Sequence, residues 1–177
     1  LFKHANKFNI PIVTIIDTPG AYPGISAEET NQGGAIAVNL REMAKLEVPV
    51  IAIISGEGCS GGALGLAVAD KVFLLEHAYY TVISPEGCAS ILWRDASKAS
   101  EAADALKITA PDLMKFDIID GAIKEPLGGA HHDYKAVADE MKKTITDSLN
   151  ELKQLSKADL KKKRYEKFRK MGAFLVN

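Results

Sequence analysis

The chain is poor in the residues that announce special chemistry. Only two of its 177 residues are cysteine, and Cys59 and Cys88 form no CxxC pair. That leaves no sequence case for a zinc site or a disulfide framework, and a reducing compartment fits better. No apolar run approaches the roughly 18 residues of a membrane span, and no charged-then-apolar leader is visible, so a soluble protein with no membrane partner is expected. Excess charge of one sign is missing as well. Lys and Arg total 22 against 23 Asp and Glu, a net charge of −1, which gives no whole-chain argument for a nucleic-acid partner or an acidic tail. Internal repeats and low-complexity tracts are also lacking.

What remains is an ordinary globular composition, 47% apolar and 25% charged, long enough for one domain with its own core. Leu1 to Phe8 reads as the last turns of a helix already under way, so the chain is expected to be a fragment. Ile10 to Ile16 is β-branched and apolar and ends in Asp17-Thr18-Pro19-Gly20, which predicts a buried strand breaking into a turn. Ser26-Ala27-Glu28-Glu29 has capping-box spacing and opens one amphipathic helix that stops before Pro49. Pro49 to Ser55 repeats the strand signature; a glycine turn and a short helix from Ala63 to Ala69 follow. A third strand is expected at Lys71 to Leu75 and a short one at Gly121 to Ile123. Helices are expected at Pro85 to Trp93, Ser97 to Leu106, Pro111 to Phe116, Tyr134 to about Gln154, and from Ser156 to about Met171. Strands of continuous rather than alternating hydrophobicity, separated by helices, predict a parallel sheet covered on its faces.

Three short patterns compete for the glycine turns. Gly56-Glu57-Gly58-Cys59-Ser60-Gly61 satisfies the dinucleotide pattern GxGxxG between a strand and a helix, but a strand and helix already precede it. Gly58-Cys59-Ser60-Gly61-Gly62 satisfies the nucleophile-elbow pattern GxSxG with Ser60 at the turn, yet none of His77, His131 and His132 carries a signature tying it to that serine. Asp17-Thr18-Pro19-Gly20 looks like a GTPase switch without its phosphate loop. All three share a physical core: glycine lets backbone N–H groups approach a ligand, and a helix start leaves such donors unpaired. Gly61 and Gly62 could therefore form an oxyanion site from backbone alone. The plainer alternative is that the small residues only let the helix pack closely on the sheet. Two such turns at the carboxyl ends of successive parallel strands occupy the region where open α/β sheets bind ligands.

Longer motifs narrow the choice. Asp17-Thr18-Pro19-Gly20-Ala21-Tyr22-Pro23-Gly24, Gly56 to Ala63, Ile83-Ser84-Pro85-Glu86-Gly87-Cys88-Ala89-Ser90-Ile91-Leu92-Trp93 and Glu125-Pro126-Leu127-Gly128-Gly129-Ala130-His131 resemble, in order, the motifs of the carboxyltransferase alpha subunits of acetyl-CoA carboxylases. The similarity runs from end to end. Members of that family are longer at the amino end, so the chain is expected to be their carboxyl-terminal part: residues 1–177 as a portion of the carboxyltransferase domain, with 134–177 as a helical extension.

The resemblance implies a crotonase-like (ClpP/crotonase) ββα-superhelix with its amino-terminal strands missing and carboxyl-terminal helices. It also implies transfer of a carboxyl group from carboxybiotin on a carrier protein to acetyl-CoA, giving malonyl-CoA for fatty acid synthesis. The expected catalytic groups are the Gly61 and Gly62 amides, with Gly20, Ala21, Gly58, Ser60, Glu86 and Gly87 lining the substrate or biotin site. No metal is expected in this chain; zinc belongs to the beta subunit. Expected partners are that beta subunit in an α2β2 heterotetramer, the biotin carboxyl carrier protein and biotin carboxylase, in a bacterial cytoplasm or a plastid stroma. Two alternatives stay open: a ClpP-like serine hydrolase using Ser60, with Ser84 near the place where such peptidases carry their histidine, and a nucleotide-binding module. Asp17 and Tyr22 are open between a functional and a structural role. The adjacent His131 and His132 lack ligand spacing and read as surface or interface. The basic segment Lys157 to Lys170 reads as a solvated helix face, with Leu160, Tyr165, Phe168 and Met171 docking on something apolar.

Overall fold

The computed structural model describes residues 1–172. After α1 (Phe2–Lys7), four parallel strands form a sheet in the order β1-β2-β3-β5, from β1 (Ile12–Thr18), β2 (Val50–Cys59), β3 (Lys71–Leu75) and β5 (Gly121–Ile123). A short β4 (Tyr79–Thr81) lies off this path, parallel to the far end of β2. The central strand is β2, in which Val50 to Ile54 are all wholly buried; a strand covered on both faces needs the unbroken apolar run that the sequence supplies.

Helices α3 (Gln32–Ala44) and α4 (Ser60–Ala67) follow β1 and β2, and α5 (Pro85–Trp93), α6 (Ala99–Leu106) and α7 (Ala110–Lys115) lie between β4 and β5. Two longer ones, α8 (Tyr134–Leu152) and α9 (Lys157–Lys170), close the chain. One core joins Met43, Leu46 and Val48 to the strands, to Ala63 and Ala67 of α4, and to Val137, Leu152 and Leu160 of the last two helices. A smaller cluster of Cys88, Ala89 and Ala102 holds α5 to α6.

Several expectations are corrected. First, β1 does not bury both faces: Ile12, Thr14 and Ile16 point inward while Val13 and Ile15 are exposed, because β1 is an edge strand covered on one side only among the described residues. Second, the helix expected from Ser26 is two helices, α2 (Ile25–Glu29) and α3, broken where Asn31 takes a left-handed conformation at φ 58°. The capping box does not form; Gly24 occupies the cap position of α2, with no side-chain cap. Third, no glycine turn follows Ser55, because the strand runs on through Gly56 and Gly58 to Cys59 and the helix begins at Ser60. Fourth, β4 is a strand where none was expected.

The last helix docks, but not through the apolar set expected. Leu160 is buried, whereas Tyr165 is exposed, and the anchor is Arg164, 2% exposed. Its Nε and Nη2 donate to the two Asp70 carboxylate oxygens at 2.9 and 2.7 Å. The remaining donors reach the carbonyls of Met43, Leu46 and Val48 at 2.9 to 3.0 Å. Asp70 in turn accepts the Val50 N–H at 2.8 Å, so this one ion pair ties α9 to the end of α3 and the start of β2.

Candidate active site

Both glycine-bearing turns lie at the carboxyl edge of the sheet and touch. Where β1 ends, Gly20 adopts φ 118°, a conformation that side chains disfavour, and its N–H donates to Thr18 Oγ1 at 3.2 Å. Where β2 ends, Ser60 is left-handed at φ 57° and turns the chain directly into α4. A methyl group on Gly62 would stand 3.0 Å from the Gly20 carbonyl carbon and 3.2 Å from the Ala21 nitrogen. Gly62 is therefore the point at which the α4 amino end and the Gly20-Ala21 backbone meet. Gly61 differs: its nearest neighbour would be Ile36 at an ordinary 3.5 Å, so packing does not require glycine there.

No side chain caps the amino end of α4, whose first turn carries no acidic residue. These backbone donors lie at the helix dipole's positive end, an arrangement suited to developing negative charge. Beside them is an open cavity of about 360 Å³, bounded by Ser60, Gly61, Leu64, Tyr80, Thr81 and Val82, with Leu106, Leu113 and Ile118 completing an apolar wall. Burial pushes the Tyr80 phenol up to about 12, and burial first and then Glu57 raise the Cys59 thiol and the Tyr79 phenol, so all three stay protonated at neutral pH. Among the described residues, no ionisable group bounding the cavity is poised as a base.

The other expected site residues fall into two groups. Gly58 lies inside the sheet, where a methyl group would come within 2.8 Å of Ile54 Cγ2 and 2.9 Å of the Tyr79 carbonyl; packing alone explains it. Glu86 and Gly87 belong to the first turn of α5, whose cap is Ser84: its Oγ accepts the Gly87 N–H at 3.1 Å, with Pro85 at the helix start. Neither borders the cavity, which reaches only as far as Val82. Ser60 does border it, but no hydrogen bond among the described residues links its Oγ to a histidine; His77 Nδ1 lies 3.0 Å from Glu125, and the rings of His131 and His132 stack on each other at 4.3 Å. Sequence reading missed Tyr80, Thr81 and Val82, which build a whole wall. The signal was there in Tyr79-Tyr80-Thr81, three strong β-formers in a row.

Comparison with known proteins identifies the family. A family profile described as "Acetyl co-enzyme A carboxylase carboxyltransferase-like" matches residues 1–172. The chain belongs to this family. Among curated relatives, the acetyl-coenzyme A carboxylase carboxyl transferase subunit alpha of Geobacter metallireducens is 57% identical over 174 residues, covering 98% of this chain and 55% of the relative. That of Clostridium beijerinckii is 59% identical and is covered over 64% of its length. The chain thus spans little more than half of the curated relatives it matches. Among solved structures, transcarboxylase 12S aligns at TM-score 0.72 with 22% identity over 85% of this chain and 29% of the other. The Pseudomonas malonate decarboxylase MdcD-MdcE hetero-dimer aligns at 0.69 with 13% identity over 85% of this chain and 63% of its own. These likenesses establish the carboxyltransferase, crotonase-like fold for this family member.

Proposed function

We propose that this carboxyltransferase-family chain forms the biotin-facing half of an acetyl-CoA carboxytransferase and that the amides of Gly61 and Gly62 are its oxyanion donors. The observation that carries this reading is the contact between the uncapped start of α4 and the Gly20-Ala21 backbone beside an apolar cavity. The residues present fit a carboxylated biotin: an apolar wall for its thioether ring and alkyl stem, and backbone N–H groups at one end for the ureido oxygen that gains charge. Carboxybiotin, presented by a carrier protein, supplies the carboxyl group and, once that group has left, the base for the acetyl methyl proton. The Gly61 and Gly62 N–H groups hold the charged oxygen. Gly20 and Ala21 do not line the cavity but brace the start of α4 where Gly62 meets them, and Leu64, Val82 and Leu106 exclude water. Because the described residues contribute no base at the cavity, the acid-base work falls to the bound groups in this reading.

In this reading the second substrate, acetyl-CoA, and the structural zinc lie with a beta subunit in an α2β2 assembly, which biotin carboxylase and the carrier protein join. Residues 1–177 are the carboxyl-terminal portion of the carboxyltransferase domain, and 134–177 its helical extension, of which 173–177 lie outside the described residues. No described helix is long and apolar enough to cross a membrane, and the relatives quoted are bacterial, which supports a cytoplasmic location. The test is carboxylation of free biotin from malonyl-CoA by purified beta subunit with and without the full-length alpha chain. Strict dependence on both is expected; activity of the beta subunit alone would overturn the assignment.

One observation favours a second reading. The left-handed Ser60 at a strand-to-helix junction has the backbone of a nucleophile elbow. Ser60→Ala separates the two: a hydrolase loses its covalent turnover, whereas an amide-based transferase keeps most of its rate.

A further inference from the structure

Within the candidate site, the Asp17-Thr18-Pro19-Gly20 motif accounts only for the Gly20 turn. Its first residue has a different set of contacts. Along β1 and β2 the pairing is regular from Ile12 opposite Val50 to Ile16 opposite Ile54, and then resumes at Thr18 opposite Gly58. One residue of β1, Asp17, therefore faces three of β2: Ser55, Gly56 and Glu57. Each of the three is accounted for. Ser55 Oγ donates to the Ile16 carbonyl at 3.3 Å, and the Glu57 N–H donates to Asp17 Oδ1 at 2.9 Å. Between them Gly56 has no room for a side chain, since a methyl group there would stand 2.6 Å from that same Asp17 oxygen.

This bulge is where β2 changes neighbours. Up to Ile54 it pairs with β3, and from Glu57 to Cys59 with β4, which forms the cavity wall. The next residues are the left-handed Ser60 and the two glycines at the amino end of α4. A bulge bends its strand and re-aims the residues beyond it.

We propose that Asp17 is a positioning residue for the amide site: by accepting the Glu57 N–H it fixes the three-against-one bulge that leads into Ser60 and brings Gly62 against Gly20-Ala21. The proposal rests on the oxyanion reading above but has its own readout. An acceptor is needed at Oδ1 and a negative charge is not, so Asp17→Asn keeps the function and Asp17→Ala does not.

The experiment uses the full-length alpha chain assembled with its beta subunit, comparing wild type, Asp17→Asn, Asp17→Ala and Gly56→Ala. For Asp17→Ala we expect kcat to fall about tenfold, with KM for malonyl-CoA unchanged and the assembly intact, the signature of an interaction felt mainly in the transition state. Asp17→Asn should restore kcat to within about threefold of wild type, and Gly56→Ala should resemble Asp17→Ala because its methyl displaces the carboxylate. Backbone hydrogen exchange over residues 57–62 should quicken in Asp17→Ala and stay at the wild-type rate in Asp17→Asn. Unchanged exchange and kcat in Asp17→Ala would overturn the proposal, as would an Asn variant as impaired as the Ala variant. If the wild-type assembly shows no carboxyl transfer, the oxyanion reading fails, and the exchange pattern alone decides the role of Asp17.

Discussion

Two regions of this molecule hold chain segments together by opposite means. At the carboxyl edge of the sheet, the Gly20 backbone and Gly62 meet because Gly62 has no side chain. At the other junction one buried guanidinium, Arg164, fills the gap between α9, α3 and β2 and uses its donors on Asp70 and three carbonyls. The first arrangement leaves backbone donors beside a cavity; the second leaves nothing over. A site for a ligand needs unspent hydrogen-bonding capacity, and an anchor needs all of it consumed.

Substitutions can break that contrast, and the largest effect is expected at the anchor. Arg164→Ala removes the partner of a buried Asp70 and takes a donor from each of three carbonyls, which should cost about 3–5 kcal/mol of stability. Chemical denaturation would show it as a lower midpoint; Arg164→Lys should fall between, since an ammonium cannot span the same fork. An unchanged midpoint in Arg164→Ala would mean that α9 is held by its apolar contacts alone. At the glycine junction, Gly62→Val should reduce carboxyl transfer by about a hundredfold, close to 3 kcal/mol of transition-state stabilisation, by forcing the Gly20-Ala21 backbone away. Steady-state rates of the assembled enzyme check it, and near-normal turnover would refute the amide assignment.

Smaller effects sharpen the comparison. Ser60→Gly relieves a left-handed conformation in a residue with a Cβ and should stabilise the fold by up to about 1 kcal/mol, read as a rise in denaturation midpoint, with activity largely kept. Gly61→Ala should change turnover less than about threefold, because the amide remains and the methyl meets Ile36 at ordinary contact distance. A severe loss there would show that the ligand approaches the Gly61 α-carbon itself.

Much of this was legible from local signals. The strand at Lys71–Leu75 and the α5 helix from Pro85 to Trp93 follow the sequence residue for residue, because short apolar runs and a proline at a helix start act over a few neighbours. The β2 end was misread for a reason equally physical: glycines are read as turns, yet Gly56 and Gly58 are in a strand because Asp17, Ile54 and Tyr79 leave no space for anything larger. Asp17 and Tyr79 are on other strands, out of reach of any local sequence signal.

By itself the sequence determined the family, through four ordered motifs, and marked the glycine-bearing segments near the ends of two parallel strands. Only the tertiary structure decided that the second of them continues as strand to Cys59, that Gly62 meets the Gly20-Ala21 backbone, that β4 walls the cavity and that Gly61, unlike Gly58, has room to spare. It also gave Asp17 and Arg164 their partners. Such facts depend on what stands opposite a residue across the sheet or beneath a helix, and chain spacing carries no record of that.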